Sequence, residues 1–130
     1  GGAVTGKTLD DYEEGTWTPS LTNNTTATII SDYGSWYRKI GDLVIYSLNI
    51  QLSTNSDSGG VAISIPFTSS SASGYRYGGA YENFVNSTNY AMWYQNNGSA
   101  SISPYSRSAT QYTYANYSGK YIQISGIFLT

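Results

Sequence analysis

Asp42-Leu43-Val44-Ile45-Tyr46-Ser47-Leu48-Asn49-Ile50-Gln51-Leu52-Ser53 decides the fold, because its side chains repeat with a period of two. Val44, Tyr46, Leu48, Ile50 and Leu52 point to one side of a strand, and Leu43, Ile45, Ser47, Asn49 and Gln51 to the other. The first set is apolar throughout and reads as core. The second begins apolar and turns polar, as in a strand that runs from a covered region to an open one. Asn55 to Gly60 is a cluster of turn residues, and Val61, Ile63, Ile65 and Phe67 follow in phase. That pattern predicts a hairpin of these two strands with a multi-residue loop, ended at Pro66, which has no N–H to donate.

The same period recurs in Lys120–Leu129, where Ile122 and Ile124 alternate with Tyr121, Gln123 and Ser125. Gly126 within it marks a bulge or a close backbone approach. Shorter strands are expected at Thr16–Leu21, Thr28–Ile30, Ser35–Ile40, Arg76–Glu82, Tyr90–Gln95, Ala100–Ser103 and Gln111–Ala115. Many short strands separated by Gly, Asn and Ser turns imply an all-β fold, an antiparallel β-sandwich of jelly-roll type. Residues 16–130 form that domain. Residues 1–15 read as a stem or linker lead-in, with one helical turn over Leu9–Glu14 capped by Thr8.

At 130 residues the chain suits one domain. Apolar residues are 39% of it, but 14 are Tyr; without these the figure is roughly 28%, and Leu, Ile, Val and Phe together reach about 18%. A net charge of only −2 and 15% aromatics argue for a folded chain all the same. With no His, there is no imidazole base or ligand, and with no Cys, no disulfide or thiolate site. Neither a metal nor another cofactor is expected. Six basic against eight acidic residues give no electrostatic footprint for nucleic acid, and no apolar run is long enough to insert in a membrane. Charged residues are 11%, against about 25% in an average protein. Much of the surface is therefore expected against sister copies, with hydroxyls and amides solvating the rest.

Asp10, Asp11, Glu13 and Glu14 hold half of the carboxylates. The calcium-loop spacing is missing, and near-adjacent acids on one turn do not face each other as a glycosidase pair must. They read as a solvated or inter-subunit junction that needs Lys7, Arg38, Lys39 or a cation to offset repulsion. Trp17 is expected in the core or at a subunit interface. In Tyr90-Ala91-Met92-Trp93-Tyr94-Gln95 the alternation puts Trp93 opposite Tyr90, Met92 and Tyr94: either Trp93 packs and the tyrosines show, or the reverse.

Ten tyrosines crowd the second half, from Tyr75 to Tyr121. Tyr offers a rigid apolar face and a hydroxyl at low entropic cost. Interleaved with Asn and Ser, it is suited to sugars, which present C–H faces and hydroxyls. Candidate glycan-binding residues are Tyr75, Tyr77, Tyr81, Trp93, Tyr94, Asn96, Asn97, Tyr105, Arg107, Tyr112 and Tyr114. Arg107 suits an acidic sugar or a phosphate.

Leu9-Asp10-Asp11-Tyr12-Glu13-Glu14-Gly15-Thr16-Trp17-Thr18-Pro19 resembles the LDDYEEGTWTP signature of phage tail-fibre C-terminal, receptor-binding tip domains. Trp36-Tyr37-Arg38-Lys39-Ile40-Gly41-Asp42-Leu43-Val44, Ile63-Ser64-Ile65-Pro66-Phe67 and Ile122–Leu129 resemble later family stretches, in the family's order. Trp36 and Arg38 depart from its usual Thr or Gln, and Thr68–Gly119 is not covered. The resemblance implies a homotrimeric β-sandwich on an upstream fibre shaft, at the virion's tail-fibre tip, meeting the bacterial cell surface without an active site. It also places Leu9, Tyr12 and Trp17 at the trimer or stem interface. The expected function is non-enzymatic binding of bacterial surface polysaccharide or lipopolysaccharide. The rivals are a purely structural trimerisation cap and a depolymerase, for which Asp32, Asp42, Asp57 and Glu82 are the carboxylates beyond the lead-in.

Overall fold

The computed structural model describes residues 11–71, 78–85, 91–106 and 108–130. Nine strands carry the described fold: β1 (Tyr12–Thr16), β2 (Ile29–Asp32), β3 (Trp36–Ile40), β4 (Leu43–Leu52), β5 (Ile63–Ser64), β6 (Gly78–Val85), β7 (Met92–Gln95), β8 (Ser101–Tyr105) and β9 (Tyr121–Leu129). A 3-10 turn, Tyr114–Tyr117, precedes β9. Every strand pairing is antiparallel, in the order β1-β3-β4-β9-β6-β7-β8-β5, and β2 shares an edge of β4 with β3.

The chain is an all-β antiparallel sandwich whose layers are continuous with one another. Val44, Tyr46, Leu48, Ile50 and Leu52 of β4 are all buried, as the alternation requires, and meet Ile122, Ile124 and Phe128 of β9. Trp93 of β7, Ile102 of β8 and Ile63 of β5 join the same cluster. The far end of the ladder therefore curls over the β4–β9 face and closes the core. Each Ile or Leu buried this way contributes about 1.5–3 kcal/mol.

Gly126 is the close approach, not a bulge. It lies directly opposite Tyr46 in the β4–β9 register, and a Cβ there would fall within the Tyr46 ring. The bare backbone lets that ring lie flat, with Trp17 at 5.9 Å and Phe128 at 5.7 Å, both edge-on.

Four expectations are corrected. The segment expected to make a helical turn is extended from Tyr12 onward, because β3 needs an edge partner and Glu14 then faces Arg38. The lead-in boundary at residue 16 consequently falls inside the sandwich, at the end of β1. The predicted β4–β5 hairpin does not form: β4 pairs with β9 along Leu43–Gln51, and Ile63–Ser64 pairs with β8. Periodicity sets which face is buried but not which strand is the neighbour. Gln111–Ala115 is not a strand; isolated bridges at Gln111 and Thr113 lead into the 3-10 turn.

Candidate functional site

The β4–β9 core fixes which side of every paired strand looks outward, since residues directly opposite share a face. On β7 this settles Trp93, which is 2% exposed. Its indole N–H donates to Glu82 Oε1 of β6 at 2.7 Å, and the Tyr117 hydroxyl donates to the same oxygen at 3.0 Å. Burial, and then the Glu82 charge, push the Tyr117 phenol well above its ordinary value. Trp93 is therefore an anchor of the core and not a stacking platform.

Tyr114 is corrected likewise: it is fully buried, with its hydroxyl donating to Asn23 Oδ1 and to the Ala62 carbonyl. A 3-10 turn aligns positions three apart, so Tyr114 and Tyr117 enter the core together. Tyr112 is half-buried and stands edge-on to Tyr117 at 6.2 Å. Tyr105 is half-buried, whereas Tyr94, Asn96 and Asn97 are exposed. Tyr75, Tyr77, Arg107 and Leu9, with the Tyr81 side chain, lie outside what is described. Trp17 is half-buried against its own protomer's Tyr46. Tyr12 stands exposed on the outer face of β1.

That outer face divides in two. Register aligns Tyr12, Ile40, Leu43 and Leu129 in one row across β1-β3-β4-β9, and Glu14, Arg38, Ile45 and Ile127 in the next. Ile40 is 43% exposed, Ile45 37% and Ile127 50%. Toward the other end the same strands show Ser47, Ser125, Asn49, Gln123 and Gln51, with the exposed rings of Trp36 and Tyr121 among them. The aliphatic half was missed as a site, although Leu43 and Ile45 were its signal: the β4 outer face starts apolar.

The second row continues past Ile127 through Gly79 of β6 to Tyr94 of β7 and Ser103 of β8. Beside it Met92, Tyr94, Tyr105, Ser106 and Ala109 line a cleft of about 270 Å³. The Tyr94 and Tyr105 rings stand 5.5 Å apart and nearly perpendicular. At its edge the Ser106 N–H donates to the Thr110 carbonyl at 2.8 Å.

At the β1 edge Glu14 finds one of the partners that repulsion called for, Arg38, whereas Lys39 Nζ donates to the Gly41 carbonyl at 2.7 Å. Glu14 Oε2 accepts from the Tyr12 hydroxyl at 2.6 Å and from Arg38 Nε at 3.4 Å, so its carboxyl is held below its usual range by Tyr12 first and Arg38 second. Arg38 also covers the Trp36 ring, 5.2 Å from its centroid. Lys39 lines a polar hollow with Asp11, Glu13 and Asp42. Among the described residues no three His, Cys, Asp or Glu gather to hold a metal. The Asp32 Oδ1 accepts from Gly34 N–H and the Ser35 hydroxyl, and Asp57 ties down its own turn.

Comparison with protein-family models, curated proteins and solved structures finds no match.

Proposed function

We propose that the chain is the receptor-binding tip domain of a phage tail fibre, a homotrimer that binds bacterial surface carbohydrate without chemical turnover. The carrying observation is the aliphatic half of the outer face. An antiparallel sheet that faces water alternates apolar-in and polar-out. Here Ile40, Leu43, Ile45, Ile127 and Leu129 break that rule together, on three adjacent strands. Three strands at about 4.8 Å spacing and about three residues each at about 3.3 Å give this aliphatic patch roughly 140 Å². That suits the apolar centre of an interface whose polar rim the flanking residues supply, so sister copies are a fitting occupant. The threefold count and the fibre setting rest on the sequence resemblance.

Carbohydrate binding is supported by a surface of hydroxyls, amides and exposed rings with few charges. Several copies per fibre multiply weak single-site binding by about 10²–10⁴, so a shallow site suffices. Burial of Trp93, Tyr114 and Tyr117 in the protomer favours the second reading, a structural cap. Glycan arrays together with binding to a panel of bacterial cells separate the two. The receptor reading predicts saturable binding that weakens when the oligomer is dissociated; the cap reading predicts blank arrays and unlabelled cells.

A further inference from the structure

We infer that the polar half of the outer sheet face, between the Tyr33–Tyr121 pair and Trp36, is the platform on which a surface polysaccharide chain lies. This rests on the carbohydrate-binding reading above and gives it an address and a mode of recognition. Gln51 of β4 stands opposite Tyr121 of β9, and Asn49 stands opposite Gln123. Two residues further along, Ser47 of β4 stands opposite Trp36 of β3. Tyr33, just past β2, donates its N–H to the Asn49 carbonyl at 2.8 Å, and its ring lies 5.7 Å from that of Tyr121. Aromatic rings thus flank a carboxamide row, with about 13 Å of β4 between the Gln51 and Ser47 levels.

Each part matches one kind of surface that a sugar presents. Tyr33 is 52% exposed and Tyr121 40%, so both rings are open to a pyranose C–H face. Arg38 steadies Trp36 from 5.2 Å above its centroid, and that ring stays exposed too. The Asn49 and Gln123 carboxamides between them are half-buried, and neither has a hydrogen-bond partner among the described residues. Their donors and acceptors are free for sugar hydroxyls. The ring pair is built in advance. The Tyr33 hydroxyl donates to Gln51 Oε1 at 3.3 Å, and Gln51 Nε2 donates to the Gly119 carbonyl at 3.3 Å. Asp32 Oδ1 fixes the adjoining turn by accepting from Gly34 N–H and the Ser35 hydroxyl, both at 3.0 Å. Side chains already held in place lose little freedom when a ligand docks.

Rival occupants fit this half less well. β4 and β9 are each paired on both sides, so a peptide cannot add to either as a strand. Neither strand contains a charged residue to meet a phosphate backbone. The Asn49–Gln123 row lies four residues, about 13 Å, beyond Ile45 and so clear of the aliphatic rows proposed for sister copies.

The test uses the intact chain, a panel of bacterial cells, and the surface polysaccharide purified from each strain that is bound. Calorimetric titration with oligosaccharides cut from that polysaccharide should show tighter binding than with its component monosaccharides. Tyr33→Ala, Tyr121→Ala and the pair Asn49→Ala with Gln123→Ala should each weaken binding about tenfold with the oligomer mass unchanged. Tyr33→Phe keeps the ring and should lose less than about threefold. Met92→Ala, exposed on β7, should change nothing. Unchanged binding in Tyr33→Ala, equal losses for Tyr33→Phe and Tyr33→Ala, or dissociation of the oligomer by Tyr33→Ala would each overturn the platform while leaving the receptor reading standing. Bound cells whose purified polysaccharide fails to bind would overturn the platform and point to a protein receptor. A wild type that binds no cell and no polysaccharide would overturn both.

Discussion

Removing the Glu82 carboxylate should cost far more than its half-exposed position suggests. Glu82 lies opposite Ile124 in the β6–β9 register and so points to the inner face. Its Oε1 accepts from Trp93 Nε1 at 2.7 Å and the Tyr117 hydroxyl at 3.0 Å, and Oε2 accepts weakly from Ala91 N–H at 3.4 Å. Both aromatic donors belong to buried residues, and leaving a buried donor unpaired costs about 1–3 kcal/mol. Glu82→Ala orphans two of them, so the expected loss is about 3–5 kcal/mol. Glu82→Gln keeps an acceptor oxygen for both and should lose about 1–2 kcal/mol, chiefly the charge assistance. At about 3–5 °C per kcal/mol for a domain of this size, the Tm should fall by roughly 10–20 °C for alanine and about 5 °C for glutamine. Urea unfolding followed by tryptophan fluorescence measures this, at one fixed protein concentration because the proposed assembly would add its own stability. Equal losses for the two variants, or a loss under about 1 kcal/mol for alanine, would refute the network.

Gly126→Ala should destabilise by about 1–3 kcal/mol through overpacking against the Tyr46 ring, read as a shift in the urea midpoint. Trp93→Ala should cost about 3–5 kcal/mol and abolish binding and folding together, so cells bound normally by a stably folded Trp93→Ala would contradict its place in the core. The Asp57 carboxyl is held below its ordinary value by the Gly59 N–H first, then the Thr26 N–H. A depressed folded value means that its stabilisation is complete above the unfolded carboxylate range and is lost as pH falls through the folded value. Between about pH 5 and pH 2 the wild-type Tm should therefore fall more steeply than that of Asp57→Asn.

The sequence made the faces legible and left the neighbours obscure. β4 and β9 were readable because burial of one face writes a period of two into the side chains. Their mutual pairing was not, since 68 residues separate Leu52 from Tyr121 and nothing in periodicity selects a distant partner over a near one. Gly126 was flagged from its type alone, and Tyr46 opposite it supplies the reason. Trp93 stayed undecided because Met92 and Tyr94 are as apolar as it is; the deciding group, Glu82, comes from another strand. Tyr114 was misjudged because a 3-10 turn has a period of three and carries no alternation to read. Of the glycan candidates Tyr94 and Tyr105 converge on one cleft, and its remaining walls, Met92, Ser106 and Ala109, carry no signal in a sequence rich in small polar residues.

Light scattering on the wild type and on an Ile45→Glu, Ile127→Glu double variant bears most directly on the proposal that sister copies cover the outer face. The wild type should weigh about three times 14.1 kDa, and the variant should fall to 14.1 kDa with its far-ultraviolet β-sheet spectrum retained. A wild type that stays at 14.1 kDa across micromolar to millimolar concentrations, or a double variant that still weighs as much as the wild-type oligomer, would contradict the assignment of that face to sister copies.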